Sequence, residues 1–168
     1  DALADDGSVL ELRREFGVGM VTALVRIEGR PLGLVANNPS HLGGAIDADG
    51  ADKAARFMQL CDAFDLPLLS LCDTPGIMVG PEVEKTALVR HSSRMFLVGA
   101  NLSVPFFTIV LRKSYGLGGI AMADAPCFAH SSRVSGLLTI FAISALSLPT
   151  IAGGVPLGAI TPSQITAS

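Results

Sequence analysis

The chain has 168 residues, of which 49% are hydrophobic, and its formal net charge is −3 at pH 7. A chain of this length can bury one sizeable core, and this hydrophobic content excludes disorder over most of it. The weakly acidic balance gives no electrostatic basis for nucleic-acid binding.

The three cysteines are scattered along the chain and form no Cys-x-x-Cys pair. An odd, scattered set favours reduced thiols in a cytoplasmic protein over a disulfide framework. The first residues are acidic and show no signal peptide. Because the chain opens without methionine, we expect it to be a fragment of a longer protein. The cysteines are Cys61, Cys72 and Cys127.

The first half of the chain predicts a β-hairpin followed by a helix. Residues 20–27 are typical of a strand, and a Gly-Arg-Pro turn leads to a partner strand over 32–37. A loop follows over 38–44, and apolar residues then recur with helical spacing over 49–64. On that helix, Ala51, Ala54, Ala55, Met58 and Cys61 share one face, and Lys53, Arg56 and Gln59 are predicted to point away from it.

The second half continues with strand–helix units. Residues 66–72 predict a buried strand that ends in the turn 73–76, and Pro81 opens a helix predicted to run to about Asn101. A second apolar strand over 104–111 runs into a glycine-rich segment that opens another helix. This order predicts an α/β core in which most strand pairs are parallel.

The last 35 residues, 134–168, contain no Asp, Glu, Lys or Arg. The apolar run over 137–152 is interrupted by Pro149 and is too short for a membrane span. We therefore predict a buried or disordered tail and no membrane partner.

The turn Asp73-Thr74-Pro75-Gly76 is similar to a GTPase switch motif. That chemistry also needs a phosphate-cradling GxxxxGK[ST] loop, which the sequence lacks. Two interpretations stay open: a simple turn after a strand, or a ligand-binding loop at the carboxyl end of a strand.

Gly116-Leu117-Gly118-Gly119 is the most informative segment. A strand that opens a helix through glycines leaves backbone N–H groups unpaired, and these suit an anion or a developing oxyanion. A purely structural turn is the alternative. The segment does not have the dinucleotide-binding spacing, and no histidine or cysteine stands at metal-ligand spacing, so we expect no metal.

Several motifs, read together over roughly residues 15–125, resemble one family: the carboxyltransferase subunits of biotin-dependent acyl-CoA carboxylases, specifically their C-terminal domain. The amino-acid sequences of residues 78–82 and 116–118 are similar to the carboxyltransferase part of large fused bacterial acyl-CoA carboxylases. The motifs lie, in order, at Gly33–Pro39, Ala45–Asp47, Asp52–Phe57, Cys61–Phe64, Asp73–Gly76, Val89–His91 and Arg112–Gly116.

The resemblance implies a crotonase-like ββα spiral, incomplete at its C-terminus, formed by residues 1–124. Residues 125–168 would be a divergent uncharged tail, frameshifted or disordered. The implied reaction transfers a carboxyl group from carboxybiotin to the α-carbon of an acyl-CoA of the acetyl-CoA or propionyl-CoA class. A biotin-dependent acyl-CoA decarboxylase subunit and a non-catalytic fragment of a carboxylase assembly are the alternatives.

The resemblance also implies roles for particular residues. Backbone N–H groups of Leu117 and Gly118, which stand where the family has a Gly-Ala-type pair, would hold the ureido oxygen of biotin. Gly116 and Gly119 would complete that cofactor site. At the position of Gly119 the family usually has an aromatic residue. The implied substrate pocket comprises Tyr115, Ile120, Asp73, Pro75 and Gly76.

Implied partners are the acyl-CoA, the biotin carboxyl carrier and biotin carboxylase components, an N-terminal carboxyltransferase half, and further copies in a homo-oligomer. Because the family places its active site between domains of two subunits, this chain is expected to hold half of a site and to be inactive alone.

Overall fold

A computed structural model describes residues 3–123 and the backbone of Phe141–Ala142. Apart from that pair, the expectations about residues 125–168 lie outside the described residues. Within the part that is described, no helix has the length and apolar character needed to cross a membrane.

In the described part of the chain, six strands form one mixed sheet in which every strand lies beside its neighbour in the sequence. The first two pairs are antiparallel and the next three are parallel, which confirms the predicted α/β class. The strands are β1 (Leu10–Glu11), β2 (Met20–Ile27), β3 (Arg30–Asn37), β4 (Leu68–Thr74), β5 (Phe106–Ser114) and β6 (Phe141–Ala142).

The predicted hairpin is confirmed, with β2 and β3 paired from Met20↔Asn37 to Ile27↔Arg30. Its two-residue turn is Glu28-Gly29, and both residues have positive φ angles (51° and 76°). This is the conformation that matches the twist of the flanking strands. The Asp5 carboxylate accepts both turn amides, at 2.9 and 2.8 Å, so the N-terminal segment stabilises the turn.

Helix α1 (Ala48–Ala63) begins at Asp47, whose side chain accepts the Gly50 N–H at 2.8 Å and so caps the helix. The predicted apolar face is buried. The prediction that Lys53 points away was wrong, because its side chain is only 1% exposed. Helical periodicity could not show that the chain after β1 covers this side of α1.

The long helix predicted from Pro81 to about Asn101 is two helices, α2 (Pro81–Glu84) and α3 (Leu88–Gly99). The break is at Ala87, whose φ of 56° is left-handed. The amides of Thr86 and Ala87 bond to carbonyls three residues back, which ends α2 in a tight turn. Sequence pattern alone missed this break because no glycine or proline marks it.

Ala87→Gly is expected to stabilise the protein by about 0.5–1 kcal/mol. The left-handed conformation strains alanine by roughly 1–2 kcal/mol, and the greater freedom of glycine in the unfolded chain offsets part of that gain. Urea denaturation checks the result. Ala123→Gly, at the end of the last helix where φ is −100°, should give no stabilisation; an equal gain in both variants would contradict the explanation.

The core lies between the sheet, α1, α3 and a short helix α4 (Gly116–Met122). Its centre combines small residues of α1 with larger side chains such as Met20, Met58, Leu68 and Met95. Cys61 is fully buried, and burial raises the pKa of its thiol to about 11. Cys61 is therefore a protonated core residue at neutral pH rather than a nucleophile.

Candidate active site

The two motifs singled out in the sequence meet at the carboxyl ends of β4 and β5. Thr74 ends β4 and pairs in register with Ser114, which ends β5. The next amide along the chain, that of Tyr115, donates to the Thr74 carbonyl at 3.1 Å. The turn after β4 and the start of α4 are thereby joined, at the edge where open α/β sheets bind ligands.

A β-bulge precedes this junction. Between the register pairs Cys72↔Val110 and Thr74↔Ser114, β4 has one residue and β5 has three. Such bulges bend a strand and re-aim its side chains. Here the bulged residues of β5 include Arg112, whose guanidinium contacts the Asp73 carboxylate through Nε (3.3 Å) and a terminal nitrogen (3.2 Å).

Asp73 is therefore bound within the protein rather than free at the surface. Its side chain is 9% exposed, and its backbone N–H donates to the side-chain oxygen of buried Asn37 at 3.0 Å. The sequence pattern predicted neither the ion pair of Arg112 with Asp73 nor the contact of Asn37. The sequence does carry one signal for these contacts, because each of the neighbouring strands has a polar residue at its end.

Lys113 holds the loop before α1. Its ammonium group donates to the Gly43 carbonyl at 2.7 Å. Gly44, with φ of 89°, lies against the backbone of Asp73, so only glycine fits there. The loop, the end of β4 and the end of β5 thus form one connected frame around the junction.

The turn after β4 is held by its own hydroxyl and by a second segment. The buried Thr74 hydroxyl donates to the Gly76 carbonyl and accepts the Gly76 amide, both at 3.1 Å. The Gly76 carbonyl also accepts the Ile46 amide at 3.0 Å. Gly76 has φ of 133°, a conformation that favours glycine, and it is buried beneath the exposed Pro75.

Helix α4 starts in direct contact with this turn. A Cβ at Gly118 would lie 2.6 Å from the carbonyl carbon of Gly76, and a Cβ at Gly119 would lie 2.8 Å from the carbonyl carbon of Ser114. Both glycines are buried. The glycines therefore let backbone pack on backbone, which fixes the position of the helix start relative to β4 and β5.

The amides of Leu117 and Gly118 have no hydrogen-bond partner among the described residues. The first bond of α4 is from the Gly119 amide to the Tyr115 carbonyl at 3.1 Å, so the two preceding N–H groups are the unpaired donors of a helix start. These two N–H groups lie next to each other, and contacts on both sides hold their backbone in place. They can both donate to one oxygen carrying negative charge.

The remaining predicted site residues surround these amides. Tyr115 and Leu117 are each 62% exposed and Ile120 is 41% exposed. Gly116 has φ of 55°, with open space where a side chain would lie. These side chains lie on an exposed surface, and none of them lines the cavities of about 380 and 310 Å³ next to α1.

The other candidate groups lie elsewhere. His91 contacts Asp52 at 2.8 Å and His41 contacts Asp47 at 3.2 Å, both in structural pairs next to α1. Within residues 3–123, no group of three His, Cys, Asp or Glu side chains is placed to hold a metal. Burial also raises the pKa of the Cys72 thiol, which disfavours a nucleophilic role.

Comparisons with known proteins agree with this architecture. The family model of the carboxyl transferase domain matches residues 1–127. An uncharacterized carboxylase of Bacillus subtilis, YngE, is 43% identical over 128 residues, which cover 76% of this chain and 25% of that protein. The biotin-dependent long chain acyl-coenzyme A carboxylase beta4 subunit of Mycobacterium tuberculosis is 44% identical over 112 residues, covering 67% and 22%.

Two solved structures are similar as well. A single-chain, multi-domain long-chain acyl-CoA carboxylase has a TM-score of 0.73 and 62% identity over 74% of this chain and 13% of that chain. Transcarboxylase 12S has a TM-score of 0.70 and 40% identity, covering 72% and 24%.

The chain spans about a quarter or less of the length of these relatives. The likeness to carboxyltransferase structures confirms the predicted crotonase-like fold. The motifs occur in the expected order, the sheet agrees with the carboxyltransferase fold, and the family model matches residues 1–127. The chain therefore belongs to the carboxyl transferase domain family.

Proposed function

We propose that this chain is the biotin-facing part of a carboxyltransferase in a biotin-dependent acyl-CoA carboxylase. In this role the amides of Leu117 and Gly118 bind the ureido oxygen of biotin. The observation that carries the proposal is the pair of unpartnered N–H groups at a helix start whose position is fixed by the contact of Gly118 with Gly76.

The donors present fit the cofactor. A ureido oxygen is an acceptor that gains negative charge during carboxyl transfer, and preorganised backbone amides stabilise such charge without moving. When bound, carboxybiotin on a separate carrier supplies the carboxyl group. The chain's own contribution is to bind and orient the oxygen, while the frame of Asp73, Arg112 and Lys113 keeps the two amides in place.

The proposed acyl-CoA pocket adjoins these amides. Tyr115 and Ile120 supply exposed apolar surface, and the turn of Asp73, Pro75 and Gly76 forms the other side. Gly116 and Gly119 complete the biotin site. Because this surface is open, we propose that an N-terminal carboxyltransferase half, from another subunit of a homo-oligomer, closes it over the substrate. The hexamer assembly of transcarboxylase 12S, a relative of this chain, supports the oligomer.

The remaining partners follow from the same proposal. The carboxyl carrier and biotin carboxylase components deliver the carboxyl group, and the substrate is an acyl-CoA. The 62% identity to a single-chain, multi-domain carboxylase supports a fused arrangement in which these components share one polypeptide. The cytoplasmic location of the protein stays a prediction.

A decarboxylase is the second candidate. The methylmalonyl-CoA decarboxylase subunit alpha of Propionigenium modestum is 33% identical over 122 residues, which cover 73% of this chain and 24% of that protein. The same two amides would serve transfer in either direction, so the direction depends on the components coupled to the chain. Reconstitution with an N-terminal half, followed by assays in both directions, separates the candidates; no activity in either direction would favour a non-catalytic fragment.

The test of the amide assignment is a matched pair at one position in a complete carboxyltransferase that carries this chain. Leu117→Pro removes one N–H donor and is expected to lower the rate of carboxyl transfer by about 100-fold or more. Leu117→Ala shortens the same exposed side chain and keeps the donor, so its rate should stay within a few-fold of the parent. Circular dichroism checks that both variants fold, and equal rates in a folded pair would overturn the assignment.

A further inference from the structure

A second feature, far along the chain from the glycine-rich turn, is a cavity of about 380 Å³ between α1 and the segment after β1. Its polar lining includes Arg13, Lys53, Arg56 and Gln59, and its apolar lining includes Phe57 and Leu60. We propose that this cavity binds an oxyanion, the phosphate or carboxylate group of a small molecule, with the Lys53 ammonium at its base.

The state of Lys53 is the first argument. Its side chain is 1% exposed, yet no hydrogen bond or ion pair to it is formed within the described residues. The Lys53 nitrogen is not one of the fully buried, unpartnered side-chain atoms of the described residues, so the ammonium group remains accessible from the cavity that Lys53 lines. Burial lowers the pKa of Lys53, with Arg13 adding to that effect and Glu11 opposing it. An oxyanion in the cavity would supply the missing counter-charge.

The surrounding charges are the second argument. Two guanidinium groups, those of Arg13 and Arg56, line the same cavity as Lys53. Glu11 is the acidic group acting on Lys53, and its carboxylate lies 3.5 Å from Nε of Arg14. Three basic residues therefore line this cavity, and none of its lining residues is acidic. Guanidinium groups are well suited to phosphate and carboxylate oxygens.

The size and lining of the cavity define the ligand class. A volume of about 380 Å³ exceeds what one bare anion fills and lies in the range of small-molecule sites. Phe57 and Leu60 add apolar surface beside the cations, and the Gln59 carboxamide adds further hydrogen-bonding capacity. The Thr22 hydroxyl is already used, because it donates to the Leu12 carbonyl at 3.0 Å.

The neighbouring cavity, of about 310 Å³, shows what a balanced charge arrangement looks like. There Asp52 contacts both His91 and Arg94 at 2.8 Å, so Arg94 already has a carboxylate partner, while Arg56 lines both cavities. Lys53 has no such partner, and this difference singles out the first cavity as the anion site.

Isothermal titration calorimetry with inorganic phosphate, at fixed pH and an ionic strength held constant with sodium chloride, tests the proposal. Saturable binding is expected to weaken at least tenfold in Lys53→Met, which keeps the buried length of the side chain and removes its charge. Arg13→Gln, on the exposed rim, should weaken binding at least threefold and leaves the core intact. Acetate as a second probe distinguishes a carboxylate from a phosphate preference.

Lys85→Met is the matched control, because Lys85 is exposed, pairs with Glu82 at α2 and does not line the cavity. It removes the same formal charge and should bind phosphate as the parent does. Absence of binding by both probes would overturn the proposal. Unchanged affinity in folded Arg13→Gln and Lys53→Met, or an equal loss in Lys85→Met, would do so as well.

Discussion

Gly118→Ala is expected to destabilise the protein by about 1–3 kcal/mol and to lower carboxyl transfer at least about tenfold in the complete enzyme. The new Cβ would lie 2.6 Å from the carbonyl carbon and 2.7 Å from the Cα of Gly76. Both atoms belong to backbone that the Thr74 hydroxyl and the Ile46 amide hold in place. The start of α4 must therefore shift, and the two donor amides shift with it.

Urea denaturation measures the loss of stability, and a carboxyl-transfer assay measures the change in rate. Leu117→Ala is the control for stability, because its side chain is 62% exposed and should change the free energy of unfolding by less than about 0.5 kcal/mol. If Gly118→Ala unfolds at the same urea concentration as the parent, the close approach of α4 to the turn is not rigid. The explanation given for the glycine would then be wrong.

Arg112→Met is expected to cost roughly 2–3 kcal/mol, below the usual 3–5 kcal/mol for breaking a buried ion pair because the Arg112 side chain is 65% exposed. The loss of stability arises at the partner residue, because the Asp73 carboxylate is 9% exposed and would lose both of its guanidinium contacts. Asp73→Asn should cost less, since it leaves no buried charge and the exposed arginine regains water.

A double-mutant cycle combining Arg112→Met with Asp73→Asn measures the coupling between the two side chains. We expect the double variant to recover part of the stability lost in Arg112→Met. Arg90→Met is the matched control, because Arg90 is exposed and makes no ion pair within the described residues. Strictly additive effects in the cycle would show that the bidentate contact does not stabilise the junction.

The fold was largely predictable from local sequence patterns. Apolar runs predicted β2, β4 and β5, and helical periodicity placed α1 within one residue of its observed ends. The strand–glycine–helix order around Gly116 predicted both the start of α4 and its unpaired donors. These features depend on residues close together in the sequence, where the period of a strand or helix and the conformational freedom of glycine decide the structure.

The features that were missed depend on contacts between distant parts of the chain. Lys53 was assigned to solvent because nothing within α1 reveals the segment that covers it. The ion pair of Arg112 with Asp73 needs a bulge that only the pairing of β4 with β5 creates. Family resemblance placed the turn at 73–76 and the glycines at 116–119 in one site, but the backbone contact that joins them came from the structure.

The order of the strands also bears on how the chain acquires its structure. Since each strand pairs with the one preceding it, no strand has to wait for a distant partner to be synthesised. Connections of this kind keep the entropy lost on loop closure small. A nascent chain leaving the ribosome adds one strand at a time to a growing edge, so the turn proposed to bind biotin is assembled only after the hairpin and α1 are already present as its support.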